Sequence, residues 1–322
     1  MSQLDLVSVG LPCYNRPNDL DRALTQLRAQ TFRNLEIIVA DNASPDVRVL
    51  QIAESHALSD SRVKVFRHES NLGAVGNHQF VKDKASGKYF LWFHDDDEVP
   101  LDFIEICVRY LVGNPRAVLV GPGADRYLDG QYWLSYETWD SKGKSTYERL
   151  DRLVEDAFCS RYSRFEQYLN GLFVLDAAPG NVSPHFKSQF YHFFALAEQG
   201  EIIHAKELCL KKHTTHEELG KYAAGSTYKR IGVLCVFSDE HSECVQQCTP
   251  IACQVLAVVI KSKNLTLGQK LQLLSKASRL FVRYPIAHEL NRFRFLRPVV
   301  KAAGVSWRPF WNPKSSGNTG VV

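Results

Sequence analysis

The stretch Tyr89–Pro100, YFLWFHDDDEVP, brings one histidine and four carboxylates to the end of an apolar run. Neighbouring carboxylates raise one another's pKa unless positive charge sits among them. Such a cluster is either a solvated acidic turn before Pro100 or a seat for a divalent cation. Asp95 and Asp97 are spaced i, i+2, so an extended backbone points both the same way. The alternative register pairs His94 with Asp96. Mg²⁺ takes one or two carboxylates and completes its shell with phosphate oxygens and water. A dication held there stabilises the charge that builds on a departing diphosphate.

Other candidates lie at the ends of other apolar runs. Asp41 and Asn42 close NLEIIVADN. A carboxylate at that place accepts a hydrogen bond from a base N–H, such as the imide of uracil, and discriminates against bases without the donor. Its plainer role is a strand-to-loop cap. LPCYNRP puts Asn15 and Arg16 at a helix start, where an arginine suits a diphosphate. Gly73 and Gly76 straddle a loop-to-helix turn and let backbone approach a ligand closely.

The elements that must position these groups alternate. Leu6–Pro12, Asn34–Asp41, Arg62–His68, the KYFLWFH run and Ala117–Gly123 read as strands. Helices separate them. In RPNDLDRALTQLRAQT the residues Leu20, Ala23, Leu24 and Leu27 fall on one face, with Pro17, Asn18 and Asp19 as start signals. Near-continuous apolar strands alternating with helices predict an α/β fold: a Rossmann-like, mostly parallel sheet with helices on both faces. Ligands of such sheets bind outside the carboxyl ends of the strands. Asp41, Asn42, LPCYNRP and the Asp95–Asp97 run should therefore share one crevice. Beyond Gly123, RYLDGQYW predicts a hairpin turning at Asp129–Gly130, and Glu201–His213 an extended segment. A helical region follows from about 216 to 312, with an apolar stripe at Leu267, Leu271, Leu274 and Leu280, then a disordered tail at 313–322.

Composition is that of an ordinary globular chain, with 45% hydrophobic and 23% charged residues. A formal charge of +4 is too mild to imply nucleic acid. The basic residues are uneven: 270–314 hold ten Lys/Arg against the single acid Glu289. MSQLDLVSVGLP reads as a strand rather than a signal peptide, and no apolar run is long enough to span a bilayer. The expectation is a cytoplasmic protein, peripheral on the inner face of the membrane through its basic C-terminal region. There Arg292, Phe293, Arg294, Phe295 and Arg297 mix charge with aromatics, as interfacial helices do. Cys13, Cys107 and Cys209 read as small buried hydrophobes. Cys244, Cys248 and Cys253, near His241, match no common zinc spacing and read as one helix face.

Taken in order, VSVGLPCYNRPNDLDRALTQLRAQTFRNLEIIVADNAS, NLGAVGN, ASGKYFLWFHDDD and LAEQGEIIHAKELCLKKHTTH resemble the family 2 glycosyltransferases, which have a GT-A fold. The resemblance covers about residues 4–216. It implies a catalytic domain over 1–215, with an acceptor part at about 124–215, a nucleotide-diphosphate sugar donor, and Mg²⁺ or Mn²⁺. It places Pro12, Tyr14, Asn15, Arg16, Asp41, Asn42, Asn71, Gly73 and Asn77 around the nucleotide. It gives the acidic motif to the metal, here Asp95 with Asp97 and with Asp96 close behind, and it brings His213 to the metal or diphosphate.

One position departs from the pattern. An inverting transferase needs a general base for the acceptor hydroxyl. In many family members that base is an Asp about eight residues before A-x-x-G. Here Ala197-x-x-Gly200 leads back to Gln189, which cannot act as a base. Asp176 and His192 are the substitutes at hand, though His192 is equally placed to pack among Phe190, Phe193 and Phe194. The leading expectation is metal-assisted, inverting sugar transfer to a lipid-linked or cell-surface glycan precursor, with Asp97 central to catalysis. The alternatives are a nucleotide-sugar binder that lost its base, and a sugar nucleotidyltransferase. Trp133, Tyr136 and Trp139 stack on a sugar or pack.

Overall fold

The computed structural model describes residues 5–95, 97–136, 139–158, 170–180, 188–214 and 257–277. The elements run β1 (Val7–Cys13), α1 (Pro17–Ala29), β2 (Leu35–Asp41), α2 (Arg48–Ser59), β3 (Val63–Arg67), α3 (Gly73–Asp83) and β4 (Tyr89–Trp92). After them come β5 (Asp97–Glu98), α4 (Phe103–Gly113), β6 (Ala117–Leu128), β7 (Gln131–Tyr136) and α5 (Thr146–Phe158). The last are β8 (Leu172–Val174), a 3₁₀ turn (Leu175–Ala177), α6 (Ser188–Gln199) and β9 (Glu201–Thr214).

They build one sheet in the order β3-β2-β1-β4-β8-β6-β9-β5, with β7 paired to β6. Strands β3, β2, β1 and β4 are mutually parallel. β8 runs antiparallel between β4 and β6, and β9 is parallel to β6. The mostly parallel sheet expected from the alternation is present.

Period-two side chains send each strand to two cores. Leu35, Ile37 and Val39 of β2 join Leu20, Leu24 and Leu27 of α1 and Phe103 and Cys107 of α4 on one face. Ile38 and Ala40, with Phe90 and Trp92 of β4, join Val81 of α3, Leu150 of α5 and Phe193 of α6 on the other. Gly10 permits this second packing, because a Cβ there would lie 2.7 Å from both Phe90 Cζ and Val81 Cγ2. The α1 face is the one the spacing predicts, with Leu20, Ala23, Leu24 and Leu27 all buried and Pro17 in the first turn.

The hairpin forms at the expected dipeptide. Asp129 and Gly130 have φ of 48° and 79°, the left-handed pair a tight two-residue turn requires. The strand before it, expected to end at Gly123, continues to Leu128, because β9 and β7 pair along its outer half. Two other expectations are corrected. Cys209 is exposed, since alternation along β9 buries Leu208 and Leu210 instead. In the helix at 267–277, Leu267 and Leu271 are exposed while Leu273 and Ala277 are buried. The buried face is the one that meets α5, where Lys276 Nζ bonds Asp151 Oδ1 at 2.7 Å.

Val259, Leu265, Leu273 and Ala277 belong to the second core. The rest of the expected C-terminal helical region and the tail lie outside the described residues, including Cys244, Cys248, Cys253 and the Arg292–Arg297 run. Among the described residues no helix is long and apolar enough to cross a membrane.

Candidate active site

The strand order reverses at β1, which lies between β2 and β4. A crevice therefore opens beyond the carboxyl ends of β1, β2 and β4. Cys13, Asp41 and Arg67 share the last rung of β1, β2 and β3. Asp41 is fully buried. Its Oδ1 accepts from Ser44 N at 3.0 Å. Its Oδ2 lies 3.0 Å from Arg67 Nη1 but has no aligned hydrogen bond. Asn42 Oδ1 accepts from Leu72 N at 2.8 Å, and Asn42 Nδ2 donates to Asn71 Oδ1 at 3.0 Å. Asn71 Oδ1 also accepts from Gly73 N. Asn77 Nδ2 donates to Ala40 O at 2.9 Å, and Asn77 Oδ1 lies 3.0 Å from His68 Nε2. Asn15 N donates to Ser44 Oγ at 2.8 Å.

Short amides thus stitch three strand ends and the start of α3 into one rim. Asn15 and Ala43 hold φ of 56° and 58°, left-handed values that non-glycine residues adopt when the surroundings impose them. Gly73, at φ 72°, has open space where a Cβ would sit. Pro12 is half-buried, and Tyr14 is 46% exposed on the rim. Ser44, Arg67 and His68 were not singled out from sequence. Ser44 closes the ADNAS stretch, but nothing local marks Arg67 or His68.

The acidic loop beyond β4 is clamped from two sides. On one side α1 presents Arg22 and Gln26, spaced i, i+4 along one face, and Gln30 caps its carboxyl end. Arg22 Nη2 donates to Asp95 O at 3.1 Å and Gln26 Nε2 to Asp97 O at 3.4 Å. Gln26 Oε1 accepts from Val99 N, and Gln30 Nε2 donates to Pro100 O. Arg16 Nη1 bonds Asp95 Oδ1 at 3.0 Å.

On the other side stands Asp97, 3% exposed. Lys212 Nζ of β9 is 3.2 Å from its Oδ1, and Asn170 Nδ2 donates to its Oδ2 at 2.6 Å. His94 Nδ1 is 3.5 Å from the same Oδ2 and donates to Asn170 Oδ1 at 3.0 Å. Burial alone would raise the Asp97 pKa, but Lys212 and then His94 outweigh it and hold the carboxyl at about 2.

A dication does not fit Asp95 and Asp97 as they stand. Lys212 and Asn170 already engage both carboxylate oxygens of Asp97, and Arg16 sets a second positive charge against Asp95. Among the described residues no three His, Cys, Asp or Glu side chains converge as a metal site. The alternative register falls partly outside the description, because Asp96 is not described. The backbone of His213 lies on β9 opposite Tyr127, and its side chain is likewise outside the described set.

The two substitutes for the missing base occupy different places. Asp176 is exposed on the turn after β8. Because β8 runs antiparallel to β4, with Val174 opposite Tyr89 and Leu175 N bonded to Lys88 O, Asp176 lies toward the amino end of β4. The structure does not bring it to the crevice. The same reversal brings Asn170, just before β8, to Asp97.

His192 is 2% exposed, its ring set edge-on to Trp92 and Phe173 at 4.9 and 4.8 Å. Among the described residues neither ring nitrogen has a hydrogen-bond partner. Burial, with a smaller push from Lys82, lowers its pKa to about 3, so it is neutral. Gln189 sits on α6, and its side chain is not described. Trp133 is 46% exposed and Trp139 packs at the edge of the second core, while the Tyr136 side chain is outside the description.

A switch-point site rimmed by asparagines, carboxylates and arginine stands where doubly wound α/β domains take their ligands. Residues 8–167 match the model of glycosyl transferase family 2, and the chain belongs to that family. An uncharacterized glycosyltransferase of Haemophilus influenzae is 33% identical over 121 residues, covering 38% of this chain and 37% of that protein. The Escherichia coli protein WfgD, named a UDP-Glc:alpha-D-GlcNAc-diphosphoundecaprenol beta-1,3-glucosyltransferase, is 28% identical over 36% of this chain and 45% of its own length. A Campylobacter jejuni GalNAc(5)-diNAcBac-PP-undecaprenol beta-1,3-glucosyltransferase is 35% identical over 29% of this chain and 30% of its own. The match thus spans less than half of each of these relatives. In fold, the chain is similar to S. aureus TarS 1–349 in complex with UDP-GlcNAc, with a TM-score of 0.58 and 14% identity. That likeness covers 85% of this chain and 72% of TarS 1–349.

Proposed function

We propose that this chain transfers a sugar from a nucleotide-diphosphate donor to a hydroxyl of a lipid-linked or cell-surface glycan precursor, by direct displacement with inversion at the sugar carbon. The observation that carries the reading is the meeting of three strand ends in one crevice, with Asn15–Arg16, Asp41–Asn42, Asn71–Asn77 and the His94–Asp97 loop on its rim. In this reading the nucleoside lies against the Asp41–Asn42 rim, where Tyr14 offers an exposed ring face. The diphosphate lies toward Arg16, whose guanidinium already faces the acidic loop. Positive charge there stabilises the diphosphate as the glycosidic bond breaks. The acceptor hydroxyl enters from the side of β6 and β9. The named activities of the Escherichia coli and Campylobacter jejuni relatives, both on diphosphoundecaprenol-linked sugars, support a lipid-linked acceptor. The excess of Lys and Arg in 270–314 suits contact with an anionic membrane surface.

The test is release of nucleoside diphosphate by the purified full chain. It uses a panel of UDP-, GDP- and dTDP-sugars with diphosphoundecaprenol-linked saccharides, in Mn²⁺, in Mg²⁺ and in EDTA. Acceptor-dependent release that is lost in Arg16→Ala supports transfer. Donor binding without release under every acceptor favours a nucleotide-sugar binder, the reading that Gln189 and the neutral His192 motivate. Pyrophosphate as the product points to nucleotidyl transfer.

A further inference from the structure

We propose that Asp97 and Lys212 form a positioning pair that pins the His94–Asp97 loop to β9, and that Asp97 presents no carboxylate oxygen to donor or cofactor. This rests on the glycosyl-transfer reading and assigns a role within its site.

Asp97 is the point where four segments distant in sequence meet. Its carbonyl oxygen takes Gln26 of α1, one carboxylate oxygen takes Lys212 of β9, and the other takes Asn170 ahead of β8. His94, at the exit of β4, joins through Asn170. The backbone adds only a two-residue ladder, Asp97 opposite Lys212 and Glu98 opposite Lys211. So short a strand has little stability of its own, and the side-chain bonds carry the connection.

The pair also sets β9. His213 follows Lys212 directly, so pinning Lys212 fixes where the backbone of His213 reaches the crevice. The register of β9 against β6 shifts between Pro122 and Gly123, with Ala205 and Cys209 as their successive partners. Beyond that shift the outer end of β9 pairs with Gly123–Leu128 of β6 on one edge, and Asp97 holds its other edge. The arrangement also explains how three consecutive acids are tolerated at one strand end. Arg16 faces Asp95 and Lys212 faces Asp97, so two of the three carboxylates meet positive charge.

A buried pair differs from a ligand-facing carboxylate in one measurable way. Removing one partner strands the other charge in the interior, whereas removing both does not. The experiment compares Asp97→Asn, Lys212→Met, the double variant and Lys212→Arg in the full chain. It reads kcat for nucleoside diphosphate release, calorimetric affinity for UDP, GDP and dTDP, and the thermal midpoint. Each single variant is expected to lower kcat about tenfold or more and to weaken nucleoside diphosphate binding about fivefold. The double variant should be no worse than the more impaired single variant, because both singles remove the same contact, and Lys212→Arg should keep kcat and affinity within about threefold of wild type.

A double variant whose losses multiply, or a Lys212→Met that keeps kcat and affinity while Asp97→Asn loses both, would mean that Asp97 acts on ligand apart from Lys212 and would overturn the proposal. So would a purely structural result, in which the midpoint and the binding stoichiometry fall while affinity and kcat per folded molecule stay constant. A wild-type chain that binds no nucleoside diphosphate sinks the glycosyl-transfer reading, and the pair's role with it. A wild-type chain that transfers, with single effects that multiply in the double variant, sinks the pairing alone.

Discussion

The two sides of the crevice are held by different kinds of contact. On the β1–β3 side the rim is a mesh of short amides and hydroxyls bonded to backbone, all drawn from residues between Cys13 and Asn77. On the β8–β9 side, Asp97 is held by charged and amide groups from Asn170 and Lys212, and the wall behind is aromatic, with Trp92, Phe173 and His192 ring against ring. The first side is assembled by neighbouring strands that follow one another in the chain. The second exists only once β8 and β9 have crossed back into the sheet. A mesh of backbone bonds prepares a fixed surface for a rigid ligand such as a nucleotide. An ion pair closing a long loop of chain is the more vulnerable of the two, because each partner depends on elements far away in sequence.

If the second side is held by aromatic packing, Phe173→Ala should cost the most. Phe173 is 1% exposed and touches both Phe90 and Trp92. The expected loss is about 3–5 kcal/mol in denaturant unfolding, since a large buried ring leaves a cavity. A loss below about 1 kcal/mol would mean that the wall is loose.

The amino end of the β1–β3 half, opposite the crevice, should show itself in acid. Burial alone would raise the Glu36 pKa, but Lys64, Ser8 and Ser86 outweigh it and lower it from 4.5 to about 2. The folded-state value lies below the unfolded one, so the contribution is present above pH 4.5 and is lost as pH falls toward 2. After allowance for screening of Lys64, that is about 2 kcal/mol, and Glu36→Gln should flatten the corresponding part of the pH–stability curve. Asn77→Ala tests the mesh itself. It strips Ala40 O of a donor and should cost about 1–2 kcal/mol, together with weaker nucleotide binding.

His192→Phe should have the smallest effect, and of opposite sign. A buried imidazole with no partner is replaced by a ring that needs none, so stability at pH 8 should hold or rise by up to about 1 kcal/mol. The His192 pKa falls on folding from 6.5 to about 3, so the unfolded chain binds the proton first and His192 withdraws stability as pH drops below 6.5. The variant's advantage should therefore widen from pH 8 to pH 5. Loss of kcat with stability retained would instead give His192 a part in the chemistry.

The same division decides what the sequence made legible. Strand–helix alternation and i, i+3, i+4 spacing located α1 through β4, because each element carries its own burial pattern. Asp41 and Asn42 were legible because they stand at a strand end, and parallel strands put such ends together, whereas Asn71 and Asn77 came from the family resemblance. Asn170 and Lys212 were not. β8 is three residues long and β5 two, too short to carry a period, and β8 runs against its neighbours. That reversal put Asp176, read as a candidate base, toward the far end of β4 and brought Asn170 to Asp97 instead. Leu267 and Leu271 misled for a related reason. Their spacing fits a helix face, but contact with α5 selected Leu273 and Ala277.

Amide hydrogen exchange of the full chain, with and without saturating nucleoside diphosphate, tests most directly whether the crevice is the donor site. The account predicts slowed exchange in residues 12–16, 41–44, 71–77 and 94–98, with α2 unchanged. Protection confined to segments away from these strand ends, with none at 41–44 or 71–77, would contradict it.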